Sequence, residues 1–97
     1  MATYIVLLNW TEQGVAESGD SLNRAAAAAT ALRKLGGKMK NVWWTMGPYD
    51  CVSIIDVPDD ETATAFSLAV GAQGNVRSVT MRAFEKAEMQ TILDRLK

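Results

Sequence analysis

The sequence contains no histidine among its 97 residues. Histidine is the usual general base near neutral pH and the commonest metal ligand in proteins. Its absence excludes Ser-His and Cys-His nucleophile pairs and a proximal histidine for haem. The acidic residues show no metal-binding spacing, since Asp59, Asp60 and Glu61 read as the start of a helix. We therefore expect neither a metal ion nor another cofactor.

Cysteine is almost as scarce, because Cys51 is the only one. A single cysteine cannot form the internal disulfides that stabilise small secreted domains. No apolar run approaches the roughly 20 residues that span a bilayer. The first ten residues have no positively charged region and no cleavage site, as a signal peptide would. These absences predict a cytoplasmic protein that does not enter a membrane.

Positive charge is also in short supply, since 10 basic residues face 11 acidic ones and the formal net charge is -1. A nucleic-acid-binding surface normally needs a basic stripe, so we do not expect nucleic acid as a partner. Lys34, Lys38 and Lys40 form a small cluster that we interpret as solvated surface. The length fits one domain over residues 1–97, and oligomerisation commonly supplements the stability of so small a domain.

Hydrophobic patterning predicts seven elements in the order β-α-β-β-α-β-α. The predicted strands are 3–10, 38–47, 51–57 and 75–84, and the predicted helices are 21–35, 62–73 and 85–96. The middle two strands are close enough in sequence to form a hairpin. Two right-handed β-α-β crossovers that share one sheet give an α+β fold of the ferredoxin-like type. We therefore predict a four-stranded antiparallel sheet with a short C-terminal helix.

Both faces of the predicted strands are apolar. Tyr4, Val6 and Leu8 point to one side of the first strand, whereas Ile5 and Leu7 point to the other. In this fold both helices pack on one sheet face, so the second face needs another cover. A contiguous apolar patch usually marks an interface. We predict a second copy packed sheet against sheet, in a homodimer or a larger assembly of dimers.

Two neighbouring tryptophans strengthen this prediction. Trp43 and Trp44 point to opposite sides of their strand, so one of them lies on the face without helices. The alternation groups Met39 with Trp43, and Val42 with Trp44. Alternatively, the C-terminal helix folds back over the face without helices, and a dimer can form in that case as well. The apolar residues of this helix, predicted to face inward, are Met89, Ile92, Leu93 and Leu96.

Five segments resemble the GYD domain family, which is named for a glycine–tyrosine–aspartate turn. They are LLNWT at 7–11, LGGK at 35–38, GPYD at 47–50, PDDE at 58–61 and GNVR at 74–77. The resemblance implies a small bacterial or archaeal protein with the dimeric α+β barrel form of the ferredoxin-like fold. It implies no activity, since none is established for the family. Pro48 departs from the polar residue expected there and removes one N–H donor from the turn.

The turn at 47–50 contains the first candidate site. Tyr49 could donate a proton or a hydrogen bond and Asp50 could accept one, so that together they orient a carbonyl or a phenol. These two residues are the catalytic candidates. The structural alternative is that Tyr49 packs in the oligomer and Asp50 bonds within its own turn.

Further ligand-binding candidates combine aromatic, amide and guanidinium groups. An amide among apolar residues needs a partner, tryptophans can line an apolar pocket, and an arginine can bind a carboxylate through two N–H groups. The alternatives are backbone hydrogen bonds, core packing and ion pairs, and Cys51 is interpreted as a small buried apolar residue. The candidates, besides Tyr49, are Asn9, Trp10, Trp43, Trp44, Arg77 and Arg82.

Three functions remain open from the sequence. The first is a non-enzymatic, oligomeric protein that binds a small hydrophobic ligand or regulates a process. The second is a cofactor-independent enzyme, monooxygenase-like or isomerase-like, that acts on a hydrophobic oxygenated substrate. The third is a structural assembly unit. The cavity beside the sheet discriminates among them: a closed pocket with a polar tip favours the enzyme, an open cleft favours ligand binding, and no pocket favours assembly.

Overall fold

The computed structural model describes residues 1–97 and has the predicted order of elements. The elements are β1 (Ala2–Trp10), α1 (Glu12–Ala16), α2 (Ser21–Lys34), β2 (Lys38–Trp44), β3 (Cys51–Val57), α3 (Asp60–Ala72), β4 (Val76–Ala83) and α4 (Lys86–Asp94). Helix α1 and the 3-10 turn that follows it at Ser18–Asp20 are additional and lie between the first predicted strand and the first predicted helix.

The four strands form one antiparallel sheet in the spatial order β2-β3-β1-β4. This order and the two crossovers confirm the ferredoxin-like α+β prediction, and β2 with β3 confirms the hairpin. Helices α2 and α3 pack on one face of the sheet, hereafter the helix face. The core at that face consists of Tyr4, Val6, Leu32, Ile55, Val57, Ala63 and Phe66.

Local capping residues set the start of α3 and the end of α2. The Asp59 carboxylate accepts the Thr62 N–H at 2.8 Å and so caps α3. The Thr62 hydroxyl and N–H together hold the pKa of Asp59 below its usual range. At the end of α2, Gly36 adopts φ +85° and the Gly37 N–H donates to the Leu32 carbonyl at 2.9 Å. A left-handed residue of this kind terminates a helix at little steric cost only when it is glycine.

A β-bulge in β2 corrects one prediction of side-chain direction. The register with β3 shifts between Met39 and Asn41, so Lys40 is an extra residue. The extra residue reverses the alternation and turns Met39 to the same face as Val42 and Trp44. The grouping of Met39 with Trp43 was therefore wrong. Periodicity cannot reveal a bulge because it depends on counting every residue once.

The C-terminal helix corrects a second prediction. Met89, Leu93 and Leu96 are 42%, 43% and 81% exposed, so α4 does not turn its apolar stripe inward. Its first turn is held to β4 by the ion pair of Arg82 with Glu88 at 3.1 Å. The radius of gyration is 14.6 Å, against about 12.5 Å for a compact chain of this length. The helix therefore projects from the domain and does not cover the second sheet face.

Some apolar residues of the two packed helices are exposed. Leu22 and Leu35 are 70% and 42% exposed, and Ala26 and Ala69 are exposed as well. The centres of the apolar stripes, Leu32 on α2 and Phe66 on α3, are buried.

The second sheet face, hereafter the open face, has no helix over it. The strand register places Ile5, Leu7, Val52 and Ile54 together at its centre. Trp43 lies on this face opposite Val52, whereas Trp44 faces the helices. The open face also includes Val79 and Met81, which are 49% and 41% exposed.

Candidate functional site

A cavity of about 100 Å³ lies between the helix face of the sheet and the helices α2 and α3. Of the 19 residues that line it, 12 are hydrophobic. The cavity is neither sealed nor a flat surface patch, so it is a cleft with access to solvent. The apolar part of its lining is Val6, Leu8, Trp10, Ala25, Ala28, Met39, Val42, Trp44, Cys51, Phe66, Val70 and Val76.

Small side chains create this cavity. Ala25 and Ala28 of α2 face β2 and β3 but do not fill the space between them. Ser53 and Ser78, on the helix face of β3 and β4, are equally short. A run of alanines allows a helix to approach a sheet closely. Leu32 lies in the core and Ala28 packs against it, and a cleft remains beside the alanines.

One end of the cavity is polar. Ser21, Arg24, Gln73 and Asn75 line it there. The Arg24 guanidinium donates to the Glu17 carbonyl at 2.8 Å. It makes longer contacts with the Gly14 carbonyl at 3.3 Å and the Ser21 hydroxyl at 3.4 Å. Every one of these acceptors is uncharged.

Asn75 is held in place by the neighbouring helix α1. Its side-chain oxygen accepts from the Gln13 amide at 2.9 Å, and its carbonyl accepts the Thr11 N–H at 3.0 Å. Thr11 also donates its hydroxyl to the Gly74 carbonyl at 2.6 Å. The polar end of the cavity is thus built by the β1–α1 and α3–β4 connections packed against each other.

Cys51 also lines the cavity, beside Trp44, with which it pairs across β2 and β3. It is half-buried, and burial raises the pKa of its thiol, with a smaller contribution from the negative charge of Asp50. At neutral pH the side chain is therefore a neutral thiol. Since the thiolate is the nucleophile, Cys51 contributes apolar surface to the cavity and no activated group.

The structure separates the predicted site residues into distinct places. Trp10 and Trp44 line the cavity, whereas Tyr49 and Asp50 do not. The Asp50 carboxylate accepts the Trp10 N–H at 3.0 Å, and the Asp50 N–H donates to the Leu8 carbonyl at 2.9 Å. The turn at 47–50 is therefore fastened to the end of β1.

We expect Tyr49→Phe to leave the free energy of unfolding within about 1 kcal/mol of wild type, since no hydrogen bond within the chain depends on its hydroxyl. Asp50→Ala should cost about 1–3 kcal/mol, because the Trp10 N–H loses its acceptor. Urea denaturation followed by circular dichroism measures both. A large loss for Tyr49→Phe with none for Asp50→Ala would contradict this assignment of the turn.

The remaining candidates lie away from the cavity. Asn9 and Arg77 pair across β1 and β4 on the open face. Arg82 is on the helix face, at the far end of the sheet, where its guanidinium stacks 4.5 Å from the centre of the Phe84 ring. The Arg82–Glu88 ion pair described above holds it there. Arg77 and Arg82 thus occupy opposite faces, as their spacing predicts.

Tyr4 lies beside Arg82 and donates its hydroxyl to the Asp60 carboxylate. Burial, followed by this hydrogen bond and the negative charge of Asp60, raises the pKa of Tyr4 to about 12. The phenol is therefore protonated at all physiological pH values. It joins β1 to the start of α3 and does not reach the cavity.

No group of three or more Cys, Asp or Glu side chains is arranged to hold a metal ion. None of the helices has the length and apolar character needed to cross a membrane.

Sequence reasoning missed the polar end of the cavity. Arg24 reads as an ordinary helical residue, Gln73 as the last residue of the second long helix and Asn75 as the first residue of the fourth strand. The signal that was available is the serine at inward positions of β3 and β4, where a filled core would have larger apolar residues. The approach of α1 to the α3–β4 connection is not visible in the sequence, because these segments are about 60 residues apart.

The fold and this cleft define an α+β protein of the ferredoxin-like class with a cavity between its layers. The sequence profile of the GYD domain matches residues 4–93, so the chain belongs to the GYD domain family. The match confirms the resemblance seen in the five segments.

Two relatives are similar along nearly the whole chain. One is the Thermus thermophilus protein named "glutamine synthetase and cystathionine beta-lyase binding protein". It is 27% identical over 90 residues, which are 92% of this chain and 95% of the relative. The other is a Thermus thermophilus protein of known crystal structure, 25% identical, with a TM-score of 0.57. That similarity covers 88% of this chain and 95% of the other.

Proposed function

We propose that this protein is a cytoplasmic, homo-oligomeric binding protein that holds a small hydrophobic ligand in the cavity between its sheet and its helices. The observation that carries the proposal is the cavity itself, which is predominantly apolar and open to solvent on one side. Concave, mostly apolar sites with a few polar groups are the usual form of small-molecule sites. The relative named as a binding protein supports a binding or regulatory role in general terms.

The open face supports a homodimer as the working form. Six aliphatic or thioether side chains and Trp43 form one apolar surface there, and no element of the same chain covers it. A second copy related by a two-fold axis would match this surface with itself, because the same residues meet across such an axis. The projecting helix α4 offers further apolar surface for the same contact, since Met89 and Leu93 are both more than 40% exposed.

Native mass spectrometry of protein purified from its own host tests both parts of the proposal in one measurement. We expect the mass of a dimer, or of a multiple of dimers, with additional mass from a retained small molecule. A monomer at micromolar concentration would overturn the homo-oligomer. An oligomer that is free of ligand would favour a regulatory or an assembly function over small-molecule binding.

A second candidate is a regulatory protein that acts by binding an enzyme. The observation that favours it is the relative's name, which gives glutamine synthetase and cystathionine beta-lyase as that protein's partners. The test is to mix this protein with the glutamine synthetase of its own host and to record the masses of intact complexes. We expect a complex at low micromolar concentration that is absent with an unrelated enzyme of similar size and charge.

The cavity favours the enzyme less than it favours a binding protein. The two catalytic candidates, Tyr49 and Asp50, lie outside the lining, and the Asp50 carboxylate is engaged with the backbone of β1. Burial raises the pKa of Cys51 inside the cavity, so its thiol stays protonated. No general acid–base pair therefore faces the space that a substrate would occupy.

A further inference from the structure

The polar end of the cavity contains one charged side chain. Arg24 is the only ionisable group with a permanent charge among the 19 lining residues. The ion pairs of the chain join Lys40 to Asp56 and Glu85, Arg82 to Glu88, and Lys97 to Asp94. None of them includes Arg24, so no carboxylate oxygen of the protein lies within 4 Å of its guanidinium.

The Arg24 guanidinium is nevertheless fixed in position. Its three contacts are with the carbonyls of Glu17 and Gly14 and with the Ser21 hydroxyl. A guanidinium has five N–H donors, so about two remain available. An arginine held by neutral acceptors beside an apolar space presents an oriented positive charge to that space.

A second donor lies at the same end. The Asn75 side-chain oxygen is occupied by Gln13, and the Asn75 amide nitrogen donates to no other residue of the chain. Asn75 lines the cavity together with Arg24. The polar end therefore offers N–H donors from two side chains and no competing carboxylate, which is the arrangement that suits an anion.

We propose that the ligand of this cavity is a small hydrophobic monocarboxylate, with its carboxylate bound by Arg24 and its apolar body held against Trp10, Trp44 and Phe66. This proposal rests on the proposed function and specifies its ligand class. A single guanidinium supplies the one positive charge that a monocarboxylate requires, and its N–H groups not used by Glu17, Gly14 and Ser21 can donate a charge-assisted hydrogen bond to it. The cleft of about 100 Å³ is smaller than the apolar cavity of about 150 Å³ that accommodates benzene, so the ligand would fill it with part of its apolar body and extend towards the opening to solvent.

The test compares benzoate with benzamide, which has nearly the same shape and no charge. The full-length protein, labelled with ¹⁵N, is titrated with each compound near pH 7, and the indole N–H signals are followed. We expect benzoate to bind at least about tenfold more tightly than benzamide, as a charge-assisted hydrogen bond predicts. The signals of Trp10 and Trp44 should shift, and the signal of Trp43 on the open face should not.

Three variants identify the residue responsible. Arg24→Gln should remove the preference for benzoate, and Arg24→Lys should keep part of it because the charge remains. Arg33→Gln is the matched control, since Arg33 is an exposed residue of the same helix outside the cavity, and it should keep the full preference. Far-ultraviolet circular dichroism verifies that each variant is folded.

The outcomes separate this proposal from the one on which it rests. Equal binding of benzoate and benzamide by the wild type, or a preference that survives Arg24→Gln, overturns the carboxylate proposal and leaves a neutral ligand in the cavity. A shift of Trp43 alone overturns it too, because binding would then be on the open face. Failure of both compounds to shift Trp10 or Trp44 counts against the cavity as a small-molecule site altogether. Because the comparison in the wild type needs no substitution, it stands even if Arg24→Gln does not fold.

Discussion

Replacement of Trp43 by alanine should dissociate the protein into monomers at micromolar concentration. Trp43 is 48% exposed in the single chain and stands on the open face opposite Val52. Tryptophan is among the residues that most often dominate binding energy when an interface buries them, typically with about 2 kcal/mol or more each. A two-fold dimer loses two of them, so its Kd should rise roughly a thousandfold, which corresponds to about 4 kcal/mol. Sedimentation velocity over a range of concentrations measures this change.

Trp44→Ala is the matched control, because the neighbouring residue has the same side chain on the opposite face. Trp44 lines the cavity, so its loss should enlarge the cavity and leave the dimer Kd within a few-fold of wild type. If Trp44→Ala dissociates the protein and Trp43→Ala does not, the open face is not the contact between copies. A wild-type protein that is monomeric at micromolar concentration would contradict the proposed dimer interface altogether.

Gly14→Ala should destabilise the fold by about 2–3 kcal/mol, the cost of inserting a side chain into a well-packed site. Gly14 is buried in α1, and a Cβ placed on it would stand 2.0 Å from the Asn75 carbonyl oxygen. The obstacle is backbone, so it cannot rotate away as a side chain would. For a domain of this size the melting temperature should fall by roughly 10 °C or more, as measured by circular dichroism.

Gly19→Ala supplies the comparison. Gly19 is exposed in the 3-10 turn that follows α1, and a Cβ there meets no atom within 4 Å. This variant should be as stable as wild type or slightly more so, since alanine restricts the unfolded chain. Equal melting temperatures for the two variants would mean that α1 can move away from the α3–β4 connection. The polar end of the cavity would then be adaptable and not fixed.

The order of elements follows from local signals that act over a few residues. Each of these signals favours one local structure, and together they specify the ferredoxin-like order. The signals are the alternation in β1 and β3, the alanine run of α2, Gly36 and the Asp59 cap. The sequence alone predicts that Trp43 and Trp44 point to opposite faces of the sheet, because strand side chains alternate. Which of the two faces the helices is not predictable in this way, since that depends on packing between distant segments.

The cavity shows the limit of local reasoning. Alanines and serines at inward positions indicate small volume, but whether small volume means close contact or an empty cleft depends on how far the backbones stand apart. The bulge at Lys40 brings Met39 into the cavity lining, and periodicity assigns it to the other face. Arg24 becomes notable only when the whole set of ion pairs is known, because an unpaired charge is a property of its surroundings.

The amino-acid sequence by itself determined the class of fold, the family, the absence of histidine chemistry and the apolar character of both sheet faces. These properties depend on composition, on periodicity and on turn chemistry, which are local. The tertiary structure alone decided where the cavity lies, which tryptophan lines it, that α4 leaves its apolar stripe exposed, and that Arg24 stands at the cavity without a carboxylate partner. Each of these depends on the relative placement of segments far apart in the chain, and that placement is set by packing of the whole domain.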